Sequence, residues 1–189
     1  KVITIDPTSN FSSEQVVYVA LGASLEDAAD NAITASSITF TTRDSDPPVV
    51  TFFPSNNDVN VLRNSDITIS FDEPIQNIND TPITDANIDL LITLKEDNSS
   101  GANILFDAVI DSTKENITIT PTSSLPLSQV VYVAIGATVE DEWDNAITAS
   151  SASFTTIDDR LSVTFDPADG TTGLPVDTNV IITFSDAIR

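Results

Sequence analysis

Through the middle of the chain apolar residues alternate with polar ones at a period of two, and β-branched side chains dominate the apolar set. That spacing puts one face of an extended backbone into a core and the other toward solvent. It predicts strands at Val49–Phe53, Asp66–Phe71, Ile88–Leu94, Ile104–Ile110, Asn116–Thr120, Val130–Thr138 and Ser151–Thr156. In the sixth, Val130 to Ile135 are apolar on both faces, which predicts a central strand covered on both sides. Pro54, Pro74, Pro121 and Pro126 fall at strand ends or in connections, where a missing N–H does least harm. With seven short strands and no helical period, the expected fold is all-β, a sandwich of two sheets.

The pattern also repeats. Ile3–Thr42 reads ITIDPTSNFSSEQVVYVALGASLEDAADNAITASSITFTT, and Ile117–Thr156 reads ITITPTSSLPLSQVVYVAIGATVEDEWDNAITASSASFTT. The two are about two-thirds identical without a gap at an offset of 114. Val50–Ile75 likewise matches Val163–Ile188 at an offset of 113. The phase divides the chain into the C-terminal half of one unit (1–43), a complete unit (44–157) and the N-terminal part of a third (158–189). The expectation is a window on a longer tandem array, with any secretion signal upstream of it.

PPVVTFFPSNNDVNV and DITISFDEPI at the front of the complete unit, with ITITPTSSLPLSQVVYVAIGATVEDEWDNAI and SFTT at its back, resemble the bacterial Ig-like domain named after S-layer proteins. That family is related to fibronectin type III and cadherin modules. The resemblance covers the complete unit and both partial ones. It implies tandem immunoglobulin-like β-sandwiches of about seven strands each, in structural, adhesive or accessory roles outside the cell. The family usually carries an Asp-x-x-Gly-Asn turn before its last strand. Here the glycine is replaced by an acid twice, in Asp141-Glu-Trp-Asp144-Asn145 and Asp27-Ala-Ala-Asp30-Asn31. Tyr18 and Tyr132, each near the start of a sixth strand, resemble the tyrosine corner of such sandwiches, whose hydroxyl ties back to the backbone; the alternative is an ordinary buried aromatic.

Charge sharpens this picture. Twenty-nine acids against seven bases give a net charge of −22. Binding nucleic acid requires bases that displace counterions from phosphate, so it is an unfavoured partner. Anionic membrane surfaces are disfavoured by the same sign, and no apolar run is long enough to insert into a bilayer. With no Cys, His or Met, thiolate or imidazole zinc sites and His-dependent triads are excluded. Carboxylates in this number are complemented by cations, Ca²⁺ above all.

In an Ig-type sandwich the linker before the domain and two of its loops lie at one end. This expectation gathers Asp44 and Asp46, Asp72 and Glu73, and Glu140, Asp141, Asp144 and Asn145 at the joint with the preceding unit. The earlier turn holds Asp27, Asp30 and Asn31, and the next joint Asp158 and Asp159, so the arrangement recurs. One reading is a calcium ion at each joint, accepting 6–8 oxygens. The other is solvated surface acids and Asx turns; no EF-hand loop decides between them.

Trp143, whose counterpart is Ala29, either covers the neighbouring domain or stacks on a ligand. Asn10, Asn79, Asn98 and Asn116 open glycosylation sequons, a short motif frequent by chance in a chain this rich in Asn, Ser and Thr. Acids repeated in every unit fit joint chemistry rather than a single active site, so the chain is not expected to be an enzyme. The expected function is a spacer or stalk segment of a secreted or cell-surface repeat protein, of adhesin or surface-layer type, touching its neighbouring domains and assembling into a layer or filament. The alternatives are a module binding carbohydrate or a surface protein, and an accessory region of a large secreted enzyme.

Overall fold

The alternation becomes thirteen strands in a computed structural model that describes residues 2–185 and 187–188. In chain order they are β1 (Val16–Leu21), β2 (Ser36–Thr41), β3 (Val50–Phe53), β4 (Ile67–Phe71), β5 (Gln76–Asn77), β6 (Ile92–Glu96) and β7 (Phe106–Ile110). There follow β8 (Asn116–Pro121), β9 (Val130–Ile135), β10 (Val139–Glu140), β11 (Ser150–Thr155), β12 (Val163–Asp166) and β13 (Ile181–Phe184). A four-stranded antiparallel sheet, β3-β4-β8-β7, and a three-stranded one, β11-β9-β6, make the sandwich, and β5 pairs with β10 beside them.

The period-two pattern sorts side chains as expected. Ile67, Ile69 and Phe71 of β4 are buried, as are Ile117 and Ile119 of β8, while Thr68, Ser70 and Thr118 between them are partly exposed. From the other sheet Ile92, Leu94, Val131, Val133, Ile135, Ala152 and Phe154 complete the core. Each fully buried aliphatic side chain contributes about 1.5–3 kcal/mol. Among the described residues the nineteen buried aliphatic and aromatic side chains of the core all lie between Ile67 and Phe154.

Four expectations are corrected. The segment Ile88–Leu94 begins as a 3-10 turn, Ile88–Leu91, before β6. This turn lies against the free edge of β7, where the carboxylates of Asp89 and Asp85 accept the backbone N–H groups of Ala108 and Ile110 at 3.0 and 3.2 Å. An edge strand closed by side chains does not recruit another strand. Second, Val130–Thr138 is not one strand: β9 stops at Ile135, and Val139 and Glu140 turn to pair with Asn77 and Gln76. Third, β9 is central by pairing, between β6 and β11, but Val130, Tyr132 and Ala134 on its outer face are only partly buried.

The tyrosine reading fails as well. Tyr132 stands on that outer face opposite Lys95 and Ser153, Tyr18 is exposed, and no hydroxyl tie to the backbone forms among the described residues. The apolar positions that face inward are Val131 and Val133, which leaves the tyrosine outside.

On either side of the sandwich is a lone hairpin. Among the described residues β1 pairs only with β2, and β12 only with β13. Their registers copy those of the complete unit: Val16↔Thr41 corresponds to Val130↔Thr155, and Val163↔Phe184 to Val50↔Phe71. The chain enters the sandwich at the pole where β3 begins and β4 ends. It leaves by β11, which starts at that pole opposite Ile135 and runs away from it, so entrance and exit are at opposite poles.

Candidate metal site at the acidic joint

The entrance pole is built by three turns. Asp44 lies in the linker, Glu73 follows β4, and Asp141 follows β10, and one carboxylate oxygen from each lies within 4.8 Å of the others. The linker is held from the preceding hairpin: Ser13 Oγ donates to Asp44 Oδ1 at 2.7 Å and accepts the Ser45 N–H at 2.9 Å. Asp44 also accepts the Asp46 N–H at 2.9 Å. Those bonds, the Asp46 N–H first and the Ser13 hydroxyl next, hold its carboxyl below the usual range.

Asp141 is fully buried and closes an Asx turn. Its Oδ1 accepts the N–H groups of Trp143 and Asn145 at 2.7 and 2.9 Å, and its Oδ2 the Asn145 side-chain amide at 2.7 Å. Asp144 has φ 67°, the left-handed backbone for which the related pattern supplies glycine. The same turn recurs upstream, where Asp27 accepts the N–H groups of Ala29 and Asn31 and Asp30 has φ 62°.

Glu73 carries the electrostatic cost of the convergence. Burial, then the charges of Asp141, Asp44, Asp72 and Glu14, push its carboxyl up to about 7. A second group gathers beside the β5–β10 pair, where Asp80, Glu140 and Asp144 again bring oxygens within 4.8 Å. Glu140 is buried, and its carboxyl is raised by that burial and then by Asp144, Asp80 and Asp141. Three carboxylates at each point could supply half the shell of a hard dication, with backbone carbonyls and water completing it.

The eight residues expected to converge at this joint thus divide. Asp44, Glu73 and Asp141 form one group, and Glu140 and Asp144 belong to the other with Asp80. Asp46 contributes its N–H rather than its carboxylate, Asp72 accepts the Val49 N–H at 2.6 Å, and Asn145 is taken up by Asp141. Asp27, Asp30 and Asn31 form an exposed turn outside either group. At the next joint Asp158 pairs with Arg160 at 2.6 Å, chiefly through which its carboxyl falls to about 2, and Asp159 reaches Arg63 at 3.4 Å. The counterpart of Glu73 there, Asp186, lies outside the described residues. Asp80 and Glu14 escaped sequence reasoning: no linear signal brings either to the joint.

Trp143 is half-exposed on its turn. Among the sequons, Asn10, Asn79 and Asn98 are on exposed loops. Asn116 is within β8, where its side chain accepts Ser70 Oγ at 2.8 Å and donates to Asp111 at 2.8 Å. No helix among the described residues is long and apolar enough to cross a membrane.

Residues 44–156 match the family described as bacterial Ig-like domain. No curated protein matches the chain. Among solved structures, CopC from Methylosinus trichosporium OB3b is similar over 58% of this chain and 93% of that one, at 13% identity and a TM-score of 0.39.

Proposed function

The chain belongs to the family of bacterial Ig-like domains, and on that premise we propose that it is a spacer segment of a secreted or cell-surface repeat protein, of adhesin or surface-layer type, whose joints are stiffened by Ca²⁺. Residues 44–157 form one complete link, flanked by parts of the links before and after it. Its role is mechanical rather than catalytic: each unit adds length, and the joint sets how freely one unit turns on the next.

The observation that carries this reading is the meeting of Asp44, in the linker, with Glu73 and Asp141, in the domain body. An ion bound there ties the linker to the sandwich, and Ser13 extends the tie to the hairpin upstream. Burial, and after it the repulsion of the neighbouring acids when no cation is bound, hold the Glu73 proton up to about 7. Extracellular modules bind calcium at about 10⁻⁴–10⁻³ M. At 100-fold over its dissociation constant one such ion adds about 2.7 kcal/mol.

The test is a thermal melt of residues 1–189 in calcium and in chelator at one ionic strength. Calcium is expected to raise Tm by roughly 5–10 °C, and Asp44→Asn with Glu73→Gln to abolish the rise. An unshifted melt, or an equal rise in the double variant, would sink the reading.

A further inference from the structure

We infer that each joint of this protein takes its positive charge either from a bound dication or from an arginine, and that the residue two places after the first linker acid decides which. Asp46 leaves the entrance joint to Ca²⁺, and Arg160 closes the exit joint without it. The inference rests on the calcium reading of the entrance joint given above.

The two joints can be compared because their linkers are held alike. The Gln15 N–H donates to Thr42 Oγ1 at 2.8 Å, and the Gln129 N–H to Thr156 Oγ1 at 2.8 Å. Glu14 and Ser128, at φ 48° and 49°, donate their N–H groups to the carbonyls of Arg43 and Ile157, both at 3.4 Å. The linker then makes one turn twice: Asp44 accepts the N–H of Asp46 at 2.9 Å, and Asp158 that of Arg160 at 3.2 Å. Asp46 and Arg160 therefore hold the same position with opposite charge.

Their side chains act differently there. Arg160 turns its guanidinium back on Asp158 as a fork, Nε on Oδ1 at 2.9 Å and Nη2 on Oδ2 at 2.6 Å, so that both oxygens are taken. The second exit acid, Asp159, meets Arg63 at 3.4 Å, and Arg63 is anchored to the body of the complete unit by its Nε, which donates to the Leu125 carbonyl at 2.6 Å. At the entrance neither Asp44 nor Asp46 has a base among the described residues, and Arg43 beside them makes no ion pair there. Two further positions change in the same sense. Glu14, whose charge bears on Glu73, is matched by Ser128. Gln76, whose amide lies 3.2 Å from both Asp80 Oδ1 and the Asp141 carbonyl, is matched by Arg189, which lies outside the described residues.

An exposed ion pair contributes little by itself. Its effect here is to occupy the linker acid that an ion would need and to remove the repulsion that draws the ion in. In an array of such units, removal of calcium then loosens only the joints that carry an acid at this position.

Calorimetric titration of Ca²⁺ into residues 1–189 at one ionic strength tests the choice, with Asp46→Arg set against Asp46→Asn. Asp46 is exposed and gives the joint only its N–H, so both variants keep the fold. The arginine should fork onto Asp44 and weaken calcium binding roughly tenfold. It should also raise the melting temperature in chelator, a gain that molar salt removes. The asparagine variant should bind within about twofold of the wild type, because the distant charge it removes is screened. Calcium bound as tightly by Asp46→Arg as by the wild type, or lost equally in Asp46→Asn, would overturn the inference and leave the calcium reading standing. A wild-type chain that takes up no calcium would sink both.

Discussion

Asp144 and Asp30 occupy left-handed backbone, φ 67° and 62°, at the turn position where the related pattern carries glycine. A residue with a Cβ gives up about 1 kcal/mol there, and at Asp144 the acid also crowds Glu140 with like charge. Asp144→Gly should therefore raise stability in chelator by about 1 kcal/mol and shrink the response to calcium. A lower midpoint in chelator would show that the carboxylate holds the turn by itself. The turn was legible in the sequence as a departure from a known pattern, and the acids on it were legible as candidates. Their grouping was not. Asp80 reaches Glu140 only through the pair β5–β10, two residues on each side, and Glu14 bears on Glu73 only because the linker folds back on the upstream hairpin.

Strands with the same alternation do not all form. Ile117–Pro121 reads ITITP and lies in β8, between β4 and β7; Ile3–Pro7 reads ITIDP and is exposed coil with no strand beside it among the described residues. The period of two states which face an element would bury, whereas pairing depends on neighbours distant in sequence. The strands at Asp66–Phe71, Asn116–Thr120 and Ser151–Thr156 could be read within a residue or so because each has a regular apolar face. The stretch Ile88–Leu94 misled because a 3-10 turn buries Ile88 as readily as a strand would, while Leu90 on the same turn stays exposed. Between β6 and β7 the loop turns on Gly101, where a Cβ would stand 1.6 Å from the Glu96 carbonyl oxygen. Gly101→Ala must push that loop open, at about 1–3 kcal/mol. The loss should appear in a urea titration as a lower midpoint at unchanged slope; an unchanged midpoint would mean that the loop rearranges freely.

For the molecule as a whole, acidity sets a stability profile with two limbs. Glu73 titrates at about 7 when folded against 4.5 ordinarily, so the native state holds its proton more tightly. Its contribution is fully present below 4.5 and is lost as pH rises through about 7. For Asp111 burial opposes ionisation, yet hydrogen bonds from Asn116, Glu115 and Thr113 bring it to about 2; Asp158 reaches about 2 through Arg160. Their contributions are present above 3.8 and are lost as pH falls through about 2. In chelator the melting temperature should accordingly peak in mildly acidic solution and decline toward neutrality. Glu73→Gln should flatten the neutral limb and leave the acid limb alone. A neutral limb unchanged in that variant would place the proton elsewhere.

The opposite poles of entrance and exit have a further consequence once the chain is pulled. Residues 57–61 run parallel to residues 153–157, joined by four backbone bonds: Asn57 N–H to Ser153 at 2.6 Å, Thr155 N–H to Asp58 at 2.7 Å, Val61 N–H to Thr155 at 3.1 Å and Ile157 N–H to Val61 at 2.8 Å. Tension arriving through Asp44 draws the first segment toward one pole, and tension leaving through Ile157 draws the second toward the other. The bonds lie across that force and are sheared together instead of unzipping one after another, so the unit resists stretching along the axis that joins its entrance to its exit.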